Sequence, residues 1–235
     1  MHWIGVDLSG PTNTADTAGF CFRSASGVAP VRRGRASRGG ASPPNGFASA
    51  SLECVGGGVG LADAEILALV AAVPAERGLI VALDAPLSYN PGGGDRPADR
   101  ELRARLVRAG LRAGSVMAPT TTRMAYLTLR GISVAHAILR ARPDAVVVET
   151  HPAGAMVLRG APAEQVAEMK RSPSAREALV KWLGSRGLPG PPDVGGSDHG
   201  VAALACVLAA RELERGRVVF DARADPPHHP FRFVC

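Results

Sequence analysis

The alternation of apolar and polar positions opens with a short β-forming run, His2 to Leu8, that stops at Ser9-Gly10-Pro11, and Gly19 to Arg23 reads as a returning strand. The chain is therefore expected to begin with a hairpin. Phe47 to Val55 reads as a third strand ending at a Gly56-Gly57-Gly58 hinge, after which Leu61 to Val73 takes up the helical period with Asp63 and Glu65 in its first turn. Gly78 to Asp84 contains the concentrated strand pattern Leu79-Ile80-Val81-Ala82-Leu83 and terminates in an aspartate before Ala85-Pro86. Asp99 to Arg112 predicts a helix with a basic face, carrying Arg100, Arg103, Arg105, Arg108 and Arg112. Thr120 to Arg140 predicts two helices interrupted at Gly131, within a helical insertion or lid over residues 113–142. Asp144 to Thr150 is the third strong strand and runs into Glu149. Helices over Pro162 to Met169, Pro173 to Arg186 and Ser197 to Glu214 follow, with a last short strand over Arg217 to Phe220.

Strands separated by helices describe an α/β sheet flanked by helices, and 235 residues suit a single domain, 1–235. Composition refines this picture only a little. The longest apolar run, Gly200 to Ala210, has eleven residues, short of the roughly 20 needed to cross a bilayer as a helix. With no signal-type segment at the start, the expected address is the cytoplasm and no membrane partner is expected. Cys21, Cys54, Cys206 and Cys235 are scattered and form no CxxC pair, which fits reduced thiols. The net charge of +6 comes almost wholly from arginine, since Lys170 and Lys181 are the only lysines. Arg32, Arg33, Arg35 and Arg38 gather in the Gly/Ser-rich stretch Gly27 to Gly46, read as an exposed loop able to meet phosphate.

Ligands in α/β sheets collect at the carboxyl ends of strands, and that is where this chain carries acid. Asp7, Asp84 and Glu149 each lie at or near the end of a strand, and Asp198 lies in the first turn of the last long helix. Ionised acids held together repel unless cations neutralise them. Oxygen donors suit Mg²⁺ or Mn²⁺, and two such ions roughly 4 Å apart can activate water against a phosphodiester. The same acids could instead cap helices or pair with arginine. Ser197 and Asp198, in particular, also read as ordinary helix-start residues.

Neither a GxxxxGK[ST] phosphate loop nor a GxGxxG fingerprint occurs. His151, beside Glu149, and His199, beside Asp198, are candidates to orient water or phosphate, and both could equally be structural. Arg100 and Lys170 follow acid-bearing strands and are candidate cationic contacts on the rim of the site. His228-His229 lacks a spaced partner for metal, and Ser9 and Ser88 lack a nucleophile-elbow context. Aromatic content of 4% leaves no stacking platform for single strands.

Four segments stand out together: Gly5-Val6-Asp7-Leu8-Ser9-Gly10, Ala82-Leu83-Asp84-Ala85-Pro86-Leu87-Ser88, Val148-Glu149-Thr150-His151-Pro152, and Ser197-Asp198-His199 running on to Ala205. In this order they resemble the domain of unknown function 429 family, predicted nucleases with a ribonuclease H-like fold. The resemblance implies a mixed sheet opening with an antiparallel meander whose first strand bears Asp7, followed by parallel strands bearing Asp84 and Glu149. It implies that Asp7, Asp84, Glu149 and Asp198 hold two Mg²⁺ or Mn²⁺ ions for phosphodiester hydrolysis. Lys170 matches a family lysine, whereas Asp95, Arg96, Asp99 and Arg100 match an arginine-and-acid segment only loosely. His199 stands where the family usually has a small residue.

The first functional expectation is therefore a divalent-metal-dependent nuclease acting on nucleic acid. The alternatives are a phosphotransferase or phosphohydrolase for a small phosphorylated ligand, and a noncatalytic binding protein retaining the fold. Nothing in the pattern fixes DNA against RNA, or the oligomeric state.

Overall fold

The computed structural model describes residues 1–25, 52–192 and 194–235. Its sheet is built from β1 (His2–Asp7), β2 (Ala18–Ser24), β3 (Leu52–Val59), β4 (Leu79–Asp84), β5 (Val146–Thr150), β6 (Asp221–Ala222) and β7 (Arg232–Val234), in the order β3-β2-β1-β4-β5-β7-β6. β1, β2 and β3 form an antiparallel meander, while β4, β5 and β7 continue from β1 in parallel and β6 closes the edge antiparallel. This mixed sheet, with its antiparallel opening and flanking helices, is consistent with a ribonuclease H-like arrangement.

The period-2 alternation of β1 and β4 divides two cores. Trp3, Ile80 and Ala82 face the core shared with α7 (Asp198–Glu214), and Ile4, Val6, Val81 and Leu83 face the core shared with α1 (Asp63–Ala71) and α3 (Thr122–Ala141). α7 is apolar round nearly its whole circumference and is buried from Gly200 to Glu212, as a helix pressed between a sheet and other helices must be. The helices α4 (Pro152–Val157) and α6 (Pro173–Ser185) pack against it, α5 (Ala163–Glu168) packs on those two, and α2 (Pro97–Arg108) adds Leu102 and Leu106 to the same core. On the other face Val134, Ala135 and Ile138 of α3 lie against the sheet, so that helix is part of the covering layer. Among the described residues, no helix is long and apolar enough to cross a membrane.

Three expectations change. Gly131 does not divide α3, which runs unbroken for 20 residues. A side chain there would come within 2.7 Å of Ala85 Cβ and 3.1 Å of Pro86 O, so the glycine serves close packing on the loop after β4. Gly56-Gly57-Gly58 lies within β3 and is no hinge: a Cβ on Gly57 would meet Gly19 O of β2 at 2.1 Å, and its φ of +120° is open only to glycine. The last strand pairing uses Asp221–Ala222 and Arg232–Val234 in place of Arg217 to Phe220. Val219 N–H nonetheless donates to the Cys235 carbonyl at 2.8 Å, so the edge forms just beyond the predicted run. The arginine-bearing stretch Gly27 to Gly46, and the first residues of the strand expected over Phe47 to Val55, lie outside the described residues.

Candidate functional site

β1 and β4 are parallel neighbours, and their last residues, Asp7 and Asp84, are register partners. In-register residues of adjacent parallel strands project to the same face, so both carboxyls emerge on the α7 side at the carboxyl edge of the sheet. Asp7 is buried, Asp84 keeps some exposure at the edge, and protein packs closely round both. Burial pushes both carboxyls upward; the charge of Asp7 drives Asp84 well above its ordinary 3.8, while hydrogen bonds from His199 and Asp84 pull Asp7 back. Of the two, Asp84 is the carboxyl that holds a proton more strongly, because it bears both the burial and the charge of Asp7.

His199 completes the cluster from the first turn of α7. Its Nδ1 lies 2.6 Å from Asp7 Oδ2, and the Asp7 hydrogen bond raises its pKa above the ordinary 6.5 against the opposing effect of burial. A hydrogen bond that favours the protonated imidazole makes Nδ1–H the donor to Asp7, and Nε2 lies 3.9 Å from both Asp16 and Asp198. Ser197 Oγ caps α7 by accepting from His199 N–H, which fixes the helix start beside Asp7. Asp198 is partly exposed on the same rim. Lys170, exposed after α5, sits close enough for its charge to oppose the rise in the Asp84 pKa.

Glu149 is placed differently. It pairs with Leu83, one residue short of Asp84, and alternation along β5 sends its side chain to the opposite face. There Arg96 Nη2 and Nη1 donate to Oε1 and Oε2 at 2.5 and 2.7 Å, and Leu87 N–H donates to Oε2 at 2.8 Å. Arg96 also holds Asp99 through Nε and Nη2, so one buried guanidinium serves two carboxylates. Burial alone disfavours the Arg96 charge, but Glu149 and Asp99 outweigh that and keep it protonated.

The remaining candidates are tied up locally. His151 caps α4, its Nδ1 accepting from Gly154 N–H at 3.0 Å, while Nε2 meets Ser115 O at 2.8 Å; burial lowers its pKa. Arg100 Nη1 donates to Asp95 O at 2.9 Å on the exposed side of α2. The buried cation of this region is Arg96, not the rim candidate Arg100. The signal for Arg96 was the spacing Arg96-Pro97-Ala98-Asp99, in which Asp99 also accepts from Arg96 N–H at 2.8 Å at the helix start.

The donor chemistry can be matched to the expected metal ions. Asp7 and Asp84 offer hard oxygen atoms side by side, and a cation would offset the repulsion between their charges, which suits a single Mg²⁺ or Mn²⁺. Glu149 does not extend that set, because both its oxygens are engaged by Arg96. Among the described residues, no three His, Cys, Asp or Glu side chains are grouped as a ready metal site.

A family model described as protein of unknown function (DUF429) matches residues 42–226, most of the chain, and the chain belongs to that family. The match spans Asp84, Glu149 and Asp198 but begins beyond β2, so Asp7 lies outside it. No curated protein and no solved structure matches the chain.

Proposed function

We propose that this family member hydrolyses phosphodiester bonds of nucleic acid, using one divalent cation held by Asp7 and Asp84. The observation that carries the reading is the in-register aspartate pair at the carboxyl edge of the sheet, where burial raises both carboxyls and the charge of Asp7 raises Asp84 further. A buried acid pair kept together by one proton is a costly arrangement whose natural replacement for the proton is a cation. When bound, the ion would supply charge neutralisation at the phosphate and a polarised water.

The protein groups divide the remaining work. Asp7 and Asp84 would hold the ion through their carboxylate oxygens, with Asp84 releasing the proton that it holds in the ion's absence. His199, oriented through Nδ1 by Asp7, presents Nε2 as the group that takes a proton from water or returns one to the leaving oxygen. Asp198 lies on the same rim to complete the donor set, and Lys170 offers positive charge to a phosphate. The Arg96–Glu149–Asp99 cluster fixes the loop after β4, through Leu87 N–H, and so holds Asp84 in place. The net charge of +6 favours a polyanionic substrate.

The test is cleavage of labelled single-stranded DNA and RNA, both duplexes, a hybrid and a four-way junction in Mg²⁺ and Mn²⁺. Asp7→Asn and Asp84→Asn, purified identically, should lose about 100-fold or more of the parent's rate. Absence of metal-dependent cleavage by the folded parent on every substrate would sink the reading.

A further inference from the structure

The two serine and histidine features that the sequence left without a role meet in space. Ser88 Oγ, buried on the loop after β4, lies 2.9 Å from Nδ1 of His229, 141 positions later. Arg96 Nη1 lies 3.1 Å from the same Oγ. Guanidinium has no acceptor, so Arg96 donates to the serine, which leaves the hydroxyl proton free to point at His229. In the tautomer with the ring proton on Nε2, His229 Nδ1 accepts that hydroxyl proton. A serine hydroxyl aimed at an imidazole lone pair is the arrangement that activates a nucleophile.

The pair opens into a pocket of 260 Å³ lined by Ser88, Arg96, Glu149, His229, Phe231 and Phe233. That volume falls below the roughly 300–1,000 Å³ of pockets for drug-sized ligands, so the occupant is small. The two phenylalanine rings offer it apolar surface. Its charged lining is not suited to phosphate: Glu101, Glu149 and Asp225 outnumber Arg96 and Arg223, and Arg96 is already engaged by Glu149. Neither Asp7 nor Asp84 lines this pocket.

We propose that Ser88 and His229 form a second active site, distinct from the Asp7–Asp84 pair, that cleaves small uncharged carboxylic esters. Ser88 Oγ bonds to the acyl carbon while its proton passes to His229 Nδ1. The ester C–O bond breaks, and the leaving alcohol departs with that proton. Water then attacks the acyl-serine, again giving a proton to His229, and Ser88 Oγ recovers it as the carboxylic acid leaves. Arg96 orients Oγ throughout.

Two probes test the site on the full chain: a small alkyl fluorophosphonate, read by mass spectrometry, and p-nitrophenyl acetate, read by release of nitrophenolate. The fluorophosphonate should form one adduct on the Ser88 peptide, with loss of fluoride, in the presence of chelator as in its absence. Ser88→Ala should abolish both the adduct and the early burst of nitrophenolate, and His229→Gln should slow labelling about 100-fold with the melting temperature retained. A folded parent that takes no adduct, an adduct only on other residues, or labelling equally fast in His229→Gln overturns the proposal. Because chelation removes the nuclease reading's cation and leaves this labelling untouched, the two proposals stand or fall separately.

Discussion

His199 Nδ1 donates to Asp7 Oδ2 at 2.6 Å, joining the first turn of α7 to the last residue of β1 across 192 positions. The contact depends on how closely α7 lies on the sheet. Two residues before Asp7, a Cβ on Gly5 would come within 2.3 Å of Ala203 O and Val207 N, both backbone atoms of α7. A missing side chain on β1 is therefore what lets the helix deliver its histidine.

Gly5→Ala should accordingly do more than overpack. The added methyl group meets backbone that has nowhere to yield, so the helix must lift, at a cost of about 3 kcal/mol or more. Denaturant unfolding should register that loss. The surviving folded fraction should also bind Mn²⁺ more weakly, because His199 no longer fixes Asp7. Unchanged stability would contradict the close approach.

A second expectation concerns acidity. In the folded chain Asp84 keeps its proton well above 3.8, driven first by burial and then by the charge of Asp7, whereas the unfolded chain releases it near that value. The folded state therefore binds the extra proton, and stability must fall as pH rises above about 4, by up to ~1.4 kcal/mol per unit, until the folded carboxyl ionises. Asp84→Asn, which imitates the protonated form, should flatten this slope in metal-free buffer. Melting curves across the range check it, and parallel slopes for parent and variant would refute the shared proton.

Glu149→Gln separates structural from metal-binding acids. Removing its charge leaves Arg96 buried with only Asp99 as an ionic partner, and breaking a buried pair in this way costs roughly 3–5 kcal/mol. Stability should fall sharply, while the extra stabilisation gained on adding Mn²⁺ should survive in the folded variant. For Asp7→Asn the order should reverse, with the fold tolerated and the Mn²⁺ effect lost.

Gly131→Ala offers a control at the other face. Helix propensity alone would favour alanine by about 1 kcal/mol. Here the new Cβ meets Ala85 Cβ at 2.7 Å, so the variant should be destabilised instead, by ~1–3 kcal/mol, and the loop carrying Pro86 should shift. A stabilised variant in thermal denaturation would show that α3 stands further from that loop.

Much of this architecture was legible because local pattern and tertiary environment agree. The apolar runs of β1, β4 and β5 are buried strands, their terminal acids lie at one edge of the sheet, and Ser197 caps α7 as its position before an apolar run implied. Two kinds of information were not local. The side on which Glu149 emerges depends on a one-residue offset between β4 and β5, and a period of two turns such an offset into the opposite face. The uses of Gly131 and Gly57 depend on what approaches them, which no propensity encodes: the same residue that breaks an isolated helix permits contact in a packed one. Arg96 and His229 were similarly hidden, since their partners, Glu149 and Ser88, lie 53 and 141 positions away.

The most direct test of the central claim is the proton count on metal binding. Calorimetric titration of Mn²⁺ into the apo chain near neutral pH, in two buffers of different ionisation enthalpy, should give release of about one proton per ion bound, the one shared by Asp7 and Asp84. Asp84→Asn, with no such proton to lose, should bind weakly and release none. Tight binding without proton release, or equal binding and release in parent and Asp84→Asn, would contradict the assignment of the aspartate pair as the cation site.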